Sequence, residues 1–328
     1  MIENPIYTEF LTALGTKLKA LLMGGHQTEI LLVVILALLF IFFGISSPVF
    51  FRVDTLMMLF KQASVYGIIA IGMTFVIASS GIDLSVGSVV GLSGVVVSMC
   101  MVSGLPILVS VLIALAASAL VGVFNGLLVN DAKVPPFIAT MASMTIIRNL
   151  ILLITGAKTI SGLPQPFKAF AAGSILGVPS MFIVWLLIIL LGYFVANRTI
   201  FGRNIFAFGS NKEAAKLSGI SVRRTVYGVY ILSAIVCGIA GILMSARLGN
   251  GVPTAGDGYE LDAIAASVVG GASLDGGSGS ILGTVLGAMI MATLRQGGTL
   301  LGINSFIMEI IIGSLIAVAV IIDKFRRQ

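Results

Sequence analysis

The chain has 328 residues, 58% hydrophobic and 10% charged, where a water-soluble domain is roughly half apolar and a quarter charged. A mean hydropathy of +1.14 excludes a fold that hides its apolar surface from water. The formal charge of +6 is carried in short stretches between apolar runs, with no basic patch interleaved with aromatics, so nucleic acid is excluded as a partner.

A helix crosses the hydrocarbon with about 20 mostly apolar residues, because it alone satisfies its own backbone hydrogen bonds there. The first 28 residues scatter Glu3, Glu9, Lys17 and Lys19 through a mixed stretch, and no small-residue cleavage pattern follows. They predict a cytoplasmic, partly amphipathic segment and not a secretory signal. Apolar spans are then predicted over 29–46, 63–79, 84–102, 105–129, 137–155, 181–197, 226–246, 280–297 and 305–322. A weaker segment at 261–273 is short, polar at its start and rich in glycine and alanine, which suits a packed crossing or a re-entrant piece.

Lys and Arg beside spans favour the cytoplasmic side, and their distribution settles the parity. If 261–273 crosses, Lys133, Arg198, Arg203, Lys212, Lys216, Arg223, Arg224, Lys324, Arg326 and Arg327 all fall inside with the N-terminus. Arg52, Lys61, Lys158, Lys168 and Arg247 fall outside. The expectation is an all-α, polytopic transmembrane bundle of about ten spans with both termini cytoplasmic. It divides into the segment 1–28, a membrane domain 29–322 and a tail 323–328. The longest inner connection, 198–225, is the natural docking place for a cytoplasmic partner.

Chemistry is sparse. No GxxxxGK[ST], HExxH, CxxC or GxSxG occurs, so ATP binding by a phosphate loop and hydrolysis by these routes have no machinery here. Cys100 and Cys237 sit inside apolar runs as small core residues, and the single histidine, His26, precedes the first span; no metal site is expected. The ionisable residues near or within spans are Asp83, Arg148, Asp262, Asp275, Arg295 and Glu309. Asp83 reads as a cap of the following helix near the inner interface. Arg148 and Glu309 read as buried partners, path-lining groups or residues snorkelling from a shallower depth. A pattern DxxxGSxxG repeats at 83–91 and 275–283. The pairs Gly87/Gly91, Gly122/Gly126 and Gly283/Gly287 suit close helix packing.

The connection 198–225 contains NKEAAKLSGI, which reads as a short helix: Ser210 or Asn211 caps it, Glu213 suits its first turn and Gly219 its stop. A solvated linker and a rigid knob for a cytoplasmic motor fit the spacing equally.

Glu213, Ala214, Ala215 and Gly219 resemble the coupling-helix motif of permeases in bacterial ATP-binding-cassette (ABC) importers. GIDLSVGS (81–88), VPPFIATMASM (134–144), FGRNIFAFGSNKEAAKLSGISVRR (201–224) and LDAIAASVVGGASLDGGSGSILGTVLGA (261–288) are similar to the ribose, galactoside and xylose branch of that family. The resemblance runs from about residue 30 to the end of the chain and implies a sugar permease subunit, not an enzyme, in the bacterial cytoplasmic membrane. It implies coupling to the motor through Asn211, Glu213, Ala214, Ala215 and Gly219. The implied partners are a cytoplasmic ABC ATPase, which carries ATP and Mg so that this chain binds no cofactor, a periplasmic or lipid-anchored sugar-binding protein, a second permease copy or paralogue, and lipid. Phe137, Thr140, Ser143 and Asn149, on the helix after Pro135-Pro136, together with Asp83, are the pathway candidates, since hydroxyls and an aromatic suit a sugar ring. Interhelical hydrogen bonding explains each of these residues singly. A stand-alone secondary transporter or facilitator is the alternative.

Overall fold

The computed structural model describes residues 27–326. The reading of 1–28, with His26, Lys17 and Lys19, lies outside the described residues except for Gln27 and Thr28, as do the last two residues of the tail 323–328. The described chain is a helical membrane bundle. Its helices are α1 (Gln27–Ser46), α2 (Val53–Ala78), α3 (Val86–Val102), α4 (Ile107–Gly126), α5 (Pro136–Thr155), α6 (Gln165–Ala172) and α7 (Ser180–Arg198), followed by α8 (Ile200–Ser210), α9 (Lys212–Leu217), α10 (Val222–Leu248), α11 (Tyr259–Val269), α12 (Ile281–Leu300) and α13 (Ser305–Arg326). One π turn, Leu127–Asp131, extends α4, and a small hairpin of Ser174–Ile175 with Val178–Pro179 precedes α7. Among the described residues, six stretches are long and apolar enough to cross a membrane: α1, α2, α4 with its π turn, α5, α7 and α10; α3 and most of α13 are shorter apolar helices.

α2 and α10 form the centre. α10 packs on α2, α3 and α4, and α2 also touches α7, α11 and α12. Their residues are buried on almost every side, including Ile68, Ile69, Ile71, Met73, Phe75, Val229, Tyr230, Ala234 and Cys237, the pattern of a helix enclosed by others. The perimeter is apolar and exposed: Leu38 and Ile45 on α1, Leu187 and Leu191 on α7, Phe306 and Ile310 on α13. Lipid or another apolar surface must cover it. Small residues bring helix axes together, as the glycine spacing predicts. Gly122 abuts the backbone of Tyr230 and Ile231, and a Cβ at Gly287 would overlap the Ala266 carbonyl oxygen. Gly287→Val is therefore expected to force α11 from α12 and cost about 1–3 kcal/mol, read as a lowered melting temperature of the detergent-solubilised protein.

The two ends of the bundle are defined by loop contacts. At the α9 end, Gly277 N donates to Ala78 O at 2.9 Å, Ser80 Oγ to Gly209 O at 2.8 Å, and Ser280 Oγ to Glu29 Oε1. At the far end, Ile160 pairs with Gly251 and Lys61 Nζ donates to Ala172 O. The span boundaries match the sequence reading closely except at α2, which starts ten residues before the predicted 63, and at α11, which has only 11 residues and is about 16 Å long at 1.5 Å per residue. The connection 198–225 holds an additional helix, α8, with an amphipathic face that buries Ile205 and Phe208.

Both short helices are fed by a non-helical arm. Residues 79–85 lead from the end of α2 to α3, and residues 249–258 lead from α10 to α11. The second arm runs inward along α3: Gly251 lies against Ser98, Ala255 against Gly91 and Gly256 against Gly87. From Val102 to Gly87 is about 22 Å of helix, so the deepest part of this arm lies well inside the bundle. There the carbonyl of Gly256 and the carboxylate of Glu260 occupy the space that a Cβ on Gly87 would fill. The first turns of α3 and α11 thus meet in the interior.

Candidate functional site

At the α9 end, α9 is a short helix held off the bundle. Asn211 is extended (φ −157°, ψ 107°) and its Oδ1 accepts from Ala214 N at 2.9 Å; a cap of this kind stabilises a helix start by about 1 kcal/mol. Glu213 in the first turn and Lys216 in the last complement the helix dipole. Gly219, at φ +81°, turns the chain away after the last turn. Of the α9 residues, only Ala215 is buried, while Leu217 is 88% exposed. Beside it lies a cleft of about 350 Å³ floored by Val129, Phe208, Val222 and Val226 and rimmed by Lys212, Glu213 and Lys216. The wall carrying Val129 is fixed by Asp131, which accepts from Tyr227 Oη and pairs with Arg223 at 3.4 Å. The cleft thus combines an apolar floor with a charged rim beside a protruding helix.

The arm 79–85 carries the densest buried polar cluster. Asp83 is 1% exposed and accepts from Ser85 N at 2.9 Å, from Ser85 Oγ, and from Ser233 Oγ at 3.3 Å. Asn125 Nδ2 donates to Ser85 Oγ, and Thr140 Oγ1 donates to Ile82 O. Asp83 is therefore not the cap of α3, whose N-cap is Ser85: it is buried, closes a turn onto Ser85 and anchors that turn to α10. Three polar groups around or beside the arm, Asn125 Oδ1, Ser143 Oγ and Tyr230 Oη, find no hydrogen-bond partner among the described residues. The Tyr230 hydroxyl is aimed at Gly81.

α5 sorts the predicted pathway residues. Thr140 and Ser143 are buried on the bundle side and the former touches the arm, whereas Phe137 and Asn149 are exposed; Asn149 Nδ2 only bonds back to Thr145 O in its own helix. Asp83 and Thr140 are thus brought together, and Asn149, about two and a half turns beyond Thr140 and so on the opposite face of α5, is not. The repeated DxxxGSxxG is not a structural repeat: Asp83 is enclosed, while Asp275 is exposed in the loop before α12.

Sequence reasoning missed the second arm. Arg148 Nη1 donates to Pro253 O at 3.2 Å and Ala255 O at 2.9 Å, and its Nη2 lies 3.9 Å from Asp257 Oδ1. The guanidinium holds a run of turns whose Pro253 and Ala255 carbonyls it pairs inside the bundle. Asp257 is 79% exposed at the deep end of this arm. On the other side of α11, Arg295 forks onto both oxygens of Asp262 at 2.9 and 3.0 Å and reaches Glu309 at 3.0 Å. Local sequence signals none of these partnerships; "NGVPTAGDG" reads as an ordinary loop.

The chain matches the family described as branched-chain amino acid transport system / permease component over residues 55–322. It is 40% identical to the ribose import permease protein RbsC of Bacillus subtilis (strain 168) over 88% of this chain and 90% of that protein. It is 37% identical to the D-allose transport system permease protein AlsC of Escherichia coli (strain K12), covering 88% and 90%, and 34% identical to the xylose transport system permease protein XylH of the same strain, covering 92% and 93%. No solved structure matches. With the match covering most of the chain and both arms, the chain belongs to this family of transport-system permease components and is a membrane transport subunit, not an enzyme.

Proposed function

We propose that the chain is the membrane-spanning subunit of an ABC importer in the bacterial cytoplasmic membrane that passes a small sugar of the ribose type. The ribose, D-allose and xylose permeases that it resembles over most of its length support the cargo class. In this reading the α9 end faces the cytoplasm. Lys133, Arg198, Arg203, Lys212, Lys216, Arg223 and Arg224 lie near that end, as the preference of basic residues for the inner side requires. The membrane domain 29–322 then crosses about ten times, counting α11 with its arm as one passage, and both termini lie inside. A cytoplasmic ABC ATPase, carrying ATP and Mg, docks on α9 and the cleft beside it through Asn211, Glu213, Ala214, Ala215 and Gly219 of the connection 198–225. A sugar-binding protein delivers cargo to the far end, and a second permease copy or paralogue covers part of the apolar perimeter.

The observation that carries the reading is the mounting of α9: a capped helix that protrudes from the bundle yet is separated by a single residue from the buried end of α8. A solvated linker needs no such anchorage. Asp83, Thr140 and Ser143 sit where the α2–α3 arm borders the interior, and Phe137 and Asn149 are left to the exposed face of α5, where a partner permease or the sugar meets them. Arg148, about 12 Å further along α5 than Thr140, adds with Asp257 a mixed donor and acceptor pair. The test is uptake of labelled ribose, allose and xylose into proteoliposomes holding the chain with its cognate ATPase and binding protein. ATP-dependent uptake of one of them is expected. Uptake without the ATPase, driven by an ion gradient, would establish the stand-alone carrier instead.

A further inference from the structure

The end of α2, the end of α8 and the loop before α12 meet in a junction made almost entirely of backbone. Ser80 has a left-handed backbone (φ +58°), uncommon for a residue with a side chain, and its hydroxyl lies 2.8 Å from Gly209 O and 3.0 Å from Asp275 O. Gly277 N donates to Ala78 O at 2.9 Å. A Cβ on Gly209 would overlap the Ala78 carbonyl, and one on Gly276 would overlap the Ser80 hydroxyl. Three segments from distant parts of the sequence therefore touch with no side-chain cushion between them. Small-residue contact of this kind transmits displacement, because nothing compressible lies between the backbones.

What the junction connects gives it direction. Gly209 and Ser210 are separated from α9 by Asn211 alone. Ser80 opens the arm 79–85, whose other end starts α3, and α3 in turn abuts the second arm at Gly256. The arm itself carries signs of a second arrangement: the left-handed Ser80, and Asn125 Oδ1, Ser143 Oγ and Tyr230 Oη around or beside it, which have no partner among the described residues. Each unpaired buried group costs about 1–3 kcal/mol, a cost that a shifted arm would relieve by supplying partners.

We propose that Ser80 is the positioning residue through which movement of α9 enters the membrane: its hydroxyl ties the arm to the end of α8, so that α3 and the inner end of the second arm follow the coupling helix. This rests on the reading of α9 as the motor-docking helix. The tie explains why a polar residue with a strained backbone stands here. Glycine would adopt this φ without strain but would leave Gly209 O and Asp275 O without their donor.

Two variants isolate the tie. Ser80→Gly keeps the backbone conformation and removes the hydroxyl; Ser80→Asn tolerates the same φ and restores a donor. In the reconstituted complex, Ser80→Gly is expected to cut uptake at least tenfold and abolish stimulation of ATP hydrolysis by loaded binding protein. Basal hydrolysis, assembly and melting temperature should stay near those of the unsubstituted chain, and Ser80→Asn should recover a substantial part of the uptake. A second readout needs no cargo: with Cys100 and Cys237 replaced, the thiol-labelling rate of Thr254→Cys, an exposed position on the second arm, should change when the ATPase partner binds ATP and should stop changing once Ser80→Gly is added. Uptake in Ser80→Gly within twofold of the unsubstituted complex would overturn the proposal. So would a persistent ATP-dependent labelling change, or a loss of uptake that tracks a loss of assembly and that asparagine does not repair. Labelling that behaves as expected in a complex that moves none of the three sugars would keep the tie and reject the cargo.

Discussion

Arg295→Ala is expected to destabilise the folded chain by about 3–5 kcal/mol. The reason is Asp262, which is 1% exposed, sits in the first turn of α11 and has both carboxylate oxygens bound by the guanidinium of Arg295. Removing the arginine leaves a carboxylate enclosed among helices with its neighbour Glu309 also deprived of its cation. The ring of Tyr66, 5.8 Å from the guanidinium carbon, loses a cation–π contact as well. Replacing both partners, Arg295→Met with Asp262→Leu, removes the stranded charge and should return more than half of the loss. Equilibrium unfolding in mixed detergent micelles measures both; a single alanine variant within about 0.5 kcal/mol of the parent would refute the assignment.

The second large effect is functional. Glu213→Arg combined with Gly219→Leu is expected to reduce ATP-driven uptake to background while the chain still inserts and assembles. Glu213 is an exposed first-turn carboxylate, so reversing its charge opposes the helix dipole and alters the docking rim without touching the core. Gly219 stands at φ +81° with open space around it, so leucine there meets no neighbour but strains the turn that stops α9. Hydrolysis should continue at its basal rate, unlinked to transport. Normal uptake in the double variant would remove α9 from the coupling role.

How much of this could be read beforehand depended on where the information sits. α1, α4, α5, α7, α10 and α12 were legible because each is a long apolar run, and the bilayer requires such runs to be helices. α2 was under-read because Asp54, Lys61 and Gln62 interrupt its apolar pattern; the helix continues through them because Lys61 is satisfied by Ala172 O and Gln62 by Tyr66. α8 was hidden in the same way, its Ile205 and Phe208 being too few to register as a span. The stop and start of α9 were legible from Asn211 and Gly219, since caps and left-handed turns are local chemistry. The arm 249–258 was not, because its place depends on Arg148, more than a hundred positions earlier, and on glycines whose role is to let another backbone approach. Asp83 is notable in the sequence, but its reading as a helix cap misses that it is enclosed by protein and bonds to the arm's Ser85 and to α10. Its enclosure comes from Ser233, Asn125 and Thr140, on three other helices.

The brevity of α11 bears on how the chain is made. A segment of 11 residues beginning beside Asp262 is too short and too polar to enter the bilayer unaided as it leaves the ribosome. The arginine that neutralises its carboxylate is synthesised 33 residues later, on α12. Burial of α11 is therefore expected to wait for α12, out of the order of translation, so that chains truncated before residue 295 should leave Ser267→Cys open to a membrane-impermeant thiol reagent that does not reach it in the full chain.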